Sequence, residues 1–439
     1  MNKLNYYLKI YIIFVIILIT SCSLFKKDKE NIEQGNENFF FETVAKPDPS
    51  LKGIKVRLPK PSINKTWMQS TNNQAHFVEH PLVKNKIKFE WKFRVGKGEH
   101  KGNPISSQPV IDEKYIYTID TEAKISVINK KNGKKKWDRK FKKKIKEHGI
   151  LNGGLSVNQE IIAVTTGQGN IFVLDKNNGK ILWEKDLSVP IRAAPIISGN
   201  IALFLTKDNR LYAHNLSNGD LIWSHQGLEE VSTFMGSSTP AVSQGIVITT
   251  YSSGEVYALN LVNGDVIWNT NLSFYIQKKS LQNISDIRGN PVVKDNIVYV
   301  VSYNGKMVAM DLNTGKRIWE SNIGGIQTPW VVSGFIFVLS KDNELICLTS
   351  DTGKIVWVSK LKENFGLDEK DDIITWTGPL LAGRMLIVSG SHGIVAAISP
   401  YSGKFLGAIN VKSSINTQAI VADETVYFIT SDGYLLAYR

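Results

Sequence analysis

The sequence predicts an all-β fold, an eight-bladed β-propeller built from four-stranded antiparallel blades. Three observations predict it. A turn-and-tryptophan motif recurs seven times, each copy follows three short β-rich runs, and no long stretch spaces its apolar residues as a helix would. Length does not decide the matter, because 439 residues that are 42% hydrophobic suffice for one large core or several small ones.

The first element is a leader. Lys3 and Lys9 flank the start of an apolar run over 10–19, and Thr20-Ser21-Cys22 follows, which is a signal-peptide layout over 1–21. The run is about half the ~20 residues that a membrane-spanning helix needs. The junction Ile19-Thr20-Ser21-Cys22 resembles the lipobox of bacterial lipoproteins. That resemblance implies lipidation of Cys22 and durable attachment to a membrane through its acyl chains. Ser23 stands where enteric bacteria place an aspartate for inner-membrane retention, so the resemblance points to the periplasmic face of the outer membrane.

The polar stretch over 22–60, with Pro47, Pro49 and Pro59 near its end, reads as a tether. Residues 61–85 read as a lead-in, and 86–439 as the propeller. Cys347, in Leu345-Ile346-Cys347-Leu348, reads as a small buried hydrophobe. With Cys22 lipidated it has no partner, and the fold stands without a disulfide.

The repeats follow. They run Asn129-Lys-Lys-Asn-Gly133-Lys-Lys-Lys-Trp137, Asp175-Lys-Asn-Asn-Gly179-Lys-Ile-Leu-Trp183 and Asn215-Leu-Ser-Asn-Gly219-Asp-Leu-Ile-Trp223. They continue through Gly264 and Trp268, Gly315 and Trp319, Gly353 and Trp357, and a degenerate Gly403-Lys-Phe-Leu-Gly407. The opening Asp or Asn bonds its side chain to amides ahead of it, and the glycine supplies the positive φ of a short hairpin. The tryptophan recurs at one place on the outgoing strand, which suits packing between neighbouring sheets. Innermost strands start near Pro109, Leu155, Pro195, Pro240, Pro291, Pro329, Pro379 and Ala419. The eighth blade lacks an outer strand of its own, and Lys88-Phe-Glu-Trp91-Lys-Phe-Arg94, with a tryptophan but no preceding turn, is available to pair with the C-terminal strand.

Charge is uneven. Of a net +13, residues 130–146 hold eleven Lys or Arg against Asp138 alone. A solvated edge strand protected by lysine is one reading, and attraction to anionic headgroups is another. No nucleic-acid-binding motif is present.

No catalytic machinery is readable. The seven histidines, at 76, 80, 100, 148, 214, 225 and 392, lie apart, with no pair at zinc spacing. Gly167-Gln-Gly169 falls between two strands and does not open a helix, so it is not a phosphate loop. The sequence therefore offers no metal, cofactor or catalytic residue.

The Asp-x-x-x-Gly-Lys-x-x-Trp pattern resembles PQQ-type propeller repeats, which quinoprotein dehydrogenases share with the non-enzymatic BamB lipoproteins. The chain is similar to the BamB family over nearly all of its mature length. The similarity is most specific at Trp67, Thr118-Ile-Asp-Thr-Glu-Ala123, Trp223-Ser-His-Gln-Gly227, Tyr251-Ser-Ser-Gly-Glu-Val-Tyr-Ala-Leu259 and Ser285-Asp-Ile-Arg-Gly-Asn-Pro291. It implies a scaffold of outer-membrane β-barrel assembly that docks on a POTRA domain of the BamA barrel, works beside other subunits of that complex, and assists unfolded barrel substrates. Carried over by motif, the contacts fall at Phe234, Met235 and Gly236 on one inter-blade link, and at Asp286 and Arg288 on the next. Met235 replaces an arginine of the enterobacterial pattern and Arg288 a second aspartate, so one charge has moved between the links; the alternative reading is that Phe234 and Met235 plug a loop against the propeller and Asp286 caps a turn. The longest links, 225–238, 270–289 and 361–377, share one face, where binding is usually built. Two other readings stay open. One is a PQQ-dependent dehydrogenase, whose carboxylates folding would bring together. The other is a free periplasmic propeller that binds peptides or glycans.

Overall fold

A computed structural model describes residues 45–99, 105–141, 153–229, 237–273, 286–303, 305–365 and 374–439. Each repeat folds into an antiparallel sheet, so that blade 1 comprises Val110–Ile111, Tyr115–Ile119, Lys124–Asn129 and Lys135–Lys140. Eight such four-stranded sheets form the propeller among the described residues. Second and third strands are buried almost throughout, whereas outer strands alternate exposed and half-buried, because only the outermost strand has solvent on its free edge.

The turn chemistry is as the repeats require. The Asp311 carboxylate accepts from the amides of Asn313 at 3.0 Å and Thr314 at 2.8 Å, and Gly315 takes φ +68°. The outer-strand tryptophan of every blade but the seventh lies over the turn glycine of the next. An ideal Cβ on Gly315 would lie 2.6 Å from the Trp268 ring, and the same relation links Gly179 to Trp137, Gly264 to Trp223 and Gly403 to Trp357. The indole N–H then donates to the same turn, from Trp183 to Leu216 O at 2.7 Å, Trp268 to Leu312 O at 2.8 Å and Trp319 to Ser350 O at 2.8 Å. One residue type therefore supplies both apolar area and a directional bond at the blade interface.

The degenerate seventh copy has a structural explanation. Blade 8 draws its outer strand, Phe89–Arg94, from the N-terminal side and pairs it with Tyr434–Tyr438. Lys88 and Arg439 exchange backbone hydrogen bonds of 2.8 Å where other blades have a turn. Blade 7 thus faces the Lys88–Arg439 pairing and no turn glycine, and its outer strand carries Gly407 in place of tryptophan.

Residues 62–82 do more than lead in. They run a full circuit inside the ring at the far ends of the innermost strands. Asn64 bonds blade 8 through Asp423 N at 2.8 Å, Trp67 bonds blade 1 through Ile111 at 2.7 Å, and Met68 O accepts from Val157 of blade 2 at 2.8 Å. The Gln69 amide pairs with Ile197 of blade 3 in both directions at 2.9 Å. Gln74 O then takes Val242 N of blade 4, Ala75 O takes Val293 N of blade 5, and Pro81 O takes Gly383 N of blade 7. Blade 6 is reached by the Trp330 indole, which donates to Glu79 O at 3.2 Å. The circuit closes on itself as Ser62 N donates to His80 O and Leu82 N to Ser62 O.

The expected tether is also shorter than its composition implies. Asp48 N donates to Ile355 O of blade 6, Lys354 pairs with Asp48 at 3.4 Å, and Val56 is buried in the largest core cluster. Polar, proline-rich backbone has here found partners on a preformed surface. Residues 22–44, with Cys22, lie outside the described residues. Cys347 is fully buried, as a small hydrophobe should be, and burial pushes its thiol well up. Within the basic run, Lys130 departs from the solvated reading. It is buried, donates to Lys65 O and Asp112 O, and pairs with Asp423 at 2.6 Å, tying blade 1 to blade 8.

Two outcomes test this architecture. Deleting residues 86–95 should unfold the whole ring cooperatively in a thermal melt, and mere fraying of one sheet would contradict closure through that strand. Gly315→Ala should cost about 2–4 kcal/mol from left-handed strain plus collision with Trp268. Gly245→Ala has similar φ, +74°, but nothing within 4 Å of the added Cβ, so its melting temperature should fall less.

Candidate functional site

In an up-and-down blade the first-to-second and third-to-fourth turns lie at one rim, and the second-to-third turns and inter-blade links at the other. The inner circuit bonds the late residues of the first strands, so it closes the first rim and, among the described residues, leaves the link rim open. Between the links lies a cavity of ≈ 180 Å³ on the ring axis, floored by Ser70 and Thr71 and lined by Arg192, Arg288, Gln108 and Gln418.

The sequence motifs prove to be the anchors of this rim. Asn290 is a hub. Its carbonyl oxygen accepts from Thr239 N of blade 4 at 2.8 Å, and its amide donates to Ser70 Oγ at 3.2 Å and Thr71 Oγ1 at 3.1 Å on the inner circuit. Its own N–H reaches Thr328 Oγ1 ahead of blade 6 at 3.0 Å. The adjacent Pro291 O accepts from His76 Nδ1 at 2.9 Å. A backbone pinned at so many points fixes where Arg288 can point.

Asp286 and Arg288, expected on the surface of a link, are both drawn inward. Asp286 is buried, and its carbonyl accepts from Tyr303 N at 3.0 Å. Arg288 is half-buried at the cavity wall beside Arg192, a residue the sequence reading missed. Burial pulls both guanidiniums below the usual arginine range, and the Asp286 charge opposes this in each. Arg192 follows a link with no recurring motif, so only the fold could reveal it.

Phe234, Met235 and Gly236 lie outside the described residues, but the base of their link does not. The Glu255 carboxylate accepts from Leu228 N at 2.7 Å, Ser253 Oγ at 2.8 Å and Tyr257 O–H at 3.1 Å. The Tyr251 hydroxyl meets His225 Nδ1 at 2.7 Å, and the two rings stack with centroids 5.8 Å apart. Burial lowers the His225 pKa, against the raising influence of Glu255. This cluster, built from two of the family-like motifs, presents Leu228 to solvent at 62% exposure. The motif in blade 1 does the same for the link before it: Asp120 accepts from Lys97 N at 2.8 Å, and Thr121 Oγ1 donates to Gly98 O at 2.5 Å.

Among the described residues no group of three or more His, Cys, Asp or Glu is placed to hold a metal ion, and no helix is long and apolar enough to cross a membrane.

Comparison with known proteins places this arrangement. Residues 121–359 match the family profile described as outer membrane protein assembly factor BamB. The outer membrane protein assembly factor BamB of Yersinia pestis is 24% identical over 372 residues, 82% of this chain and 90% of that protein. Among solved structures, BamB from Moraxella catarrhalis superposes with a TM-score of 0.69 at 18% identity, over 81% of this chain and all of that one. A europium-containing methanol dehydrogenase gives 0.66 at 15% identity, over 83% of this chain and 89% of that one, which is a likeness of fold alone.

The hub carries a pH dependence. Full burial holds the His76 ring down to about 4, from an ordinary 6.5. The unfolded chain takes up a proton that the folded one refuses, so stability is complete above ~6.5 and declines as pH falls toward ~4. The loss from this ring should approach about 3 kcal/mol. Thermal melts across that window should fall steeply for the native chain and less steeply for His76→Gln, and equal slopes would remove His76 as the cause.

Proposed function

The chain belongs to the family of outer membrane protein assembly factor BamB, and from that premise we propose that it is a non-enzymatic scaffold lipoprotein of outer-membrane β-barrel assembly. In this reading Cys22 is lipidated and holds the mature chain at the periplasmic face of the outer membrane. The link rim docks on the periplasmic POTRA region of a BamA-like barrel. Phe234, Met235 and Gly236 supply one contact and Arg288 the other, with buried Asp286 holding the Arg288 guanidinium in place. The loops and outer strand edges assist unfolded barrel substrates by strand addition.

The observation that carries the reading is the family match over 121–359, which takes in both links and the anchors at their bases. The geometry supports it in a specific way. The Glu255 and Asn290 clusters hold the described link bases in place, so a partner contacting them need not order those residues. The open rim also has an apolar residue, Leu228, offered at the base of the first link. Interfaces draw their energy from such apolar anchors more than from rim charges.

Crosslinked purification of the full chain from membranes tests the assignment. Leu228→Asp combined with Phe234→Ala should lower recovery of the barrel at least ~10-fold, the loss of about 1.4 kcal/mol or more. Val262→Asp, at a residue 69% exposed on a turn of the opposite rim, should leave recovery unchanged. Full recovery with the first variant, in protein that melts normally, would rule out this rim as the docking face.

A further inference from the structure

The ring has a charged edge that docking through the link rim does not use. Blade 8's outer strand and the residues leading into it, 84–94, carry Lys84, Lys86, Lys88, Lys92 and Arg94 against Glu90. On the neighbouring blade 1, residues 131–140 carry Lys131, Lys134, Lys135, Lys136, Arg139 and Lys140 against Asp138. All of these cations except Arg139 are exposed. The two strands are contiguous, since the Trp91 ring covers Gly133, in the turn that holds Lys131 and Lys134. Asp138 is taken by Lys124 at 3.1 Å and Lys135 at 2.9 Å, and Glu122 by Lys97 and Lys140, so little acid is left to neutralise the rest.

Protection of sheet edges does not account for this. The two positions before the tryptophan are Ile181 and Leu182 in blade 2, Leu221 and Ile222 in blade 3, and Val266 and Ile267 in blade 4. Leu182, Leu221, Ile222, Val266 and Ile267 are all exposed. If edges needed lysine, those blades would carry it too. Only blade 1 has Lys135 and Lys136 there.

We propose that the outer edge of blades 8 and 1 binds the anionic headgroups of a lipid bilayer. The inference rests on the reading that the mature chain is held at a membrane. Its chemistry is that of many shallow point charges on exposed stems, with Phe89, 53% exposed, among them. Lysines so arranged match a fluid array of headgroups and lack the bidentate forks that a fixed carboxylate or phosphate site uses. Contact through an edge also sets the ring axis along the bilayer plane, so neither rim faces the bilayer and the link rim remains free for a protein partner.

The test uses the mature chain over 22–439 carrying Cys22→Ser, so that no acyl chain contributes. Sedimentation is measured with phosphatidylethanolamine vesicles containing either phosphatidylglycerol or phosphatidylcholine. Binding should appear only with phosphatidylglycerol and should weaken strongly between ~20 and ~300 mM salt. Removing Lys92, Lys131, Lys134 and Lys136 together as serines should lower partitioning by about fivefold per charge. A control removing Lys207, Lys341, Lys404 and Lys412, exposed elsewhere on the ring, changes net charge equally and should retain binding. Three results overturn the proposal: equal loss in both variants, undiminished binding by the first, or no binding to anionic vesicles while Lys131 crosslinks to an acidic protein in membranes. No assembly partner is present in the assay, so its outcome is independent of whether the link rim docks a barrel.

Discussion

The constraint on which the structure depends is the continuous circuit that residues 62–82 make through all eight blades. A propeller closed only by one strand pair has a single weak seam, because every other interface is reinforced by covalent connection. Here each blade is also bonded to the same inner segment, and the segment is bonded to itself at Ser62 and His80. Opening the seam inside blade 8, between Phe89–Arg94 and Tyr434–Tyr438, then strains bonds around the ring and not only at the break. The contacts are mostly backbone to backbone, and buried groups of that kind are expensive to leave unpaired. Cooperativity follows from the shared inner segment.

The outer layer solves the complementary problem. Each repeat tryptophan covers the next blade's turn glycine, and those of blades 2 to 6 also donate to that turn, so the blade interfaces are fastened at their periphery as the circuit fastens them at the axis. The glycines have two reasons to be there. Their positive φ makes the turn, and their missing side chain leaves the space that the indole fills. Where Lys88 pairs with Arg439 in place of a turn in blade 8, the space is absent and so is the tryptophan, which makes Gly407 part of the same rule.

These two layers were not equally legible. The repeats declare themselves because a periodic geometric demand, a left-handed turn and a flat ring every blade, leaves a periodic trace. Blade count, strand order and the borrowed N-terminal strand all follow from that trace. The inner circuit leaves none, since it crosses each blade at a different spacing and bonds through backbone groups that any residue supplies. Asn64, Gln69 and His76 look like loop residues until the ring surrounds them. Lys130 misled for a similar reason: its sequence neighbours are solvated lysines, and only folding reveals that it spans two blades. At the candidate site the motifs could be located but not their roles. Asn290, Glu255 and Asp120 turned out to hold link bases, and Arg192 carried no motif at all.

The division of labour has a functional consequence. Circuit, tryptophan contacts and link anchors all rigidify the ring, so variable chemistry is confined to what the frame leaves unbonded: link tips, cavity wall and outer strands. On the link rim the frame holds the described bases of the links, at Leu228 on one and at Asn290 on the other. The outer strands vary in another way, apolar on blades 2 to 4 and basic on blades 8 and 1. A ring whose faces and edge carry different chemistry is oriented, as well as attached, by any two contacts of different kind.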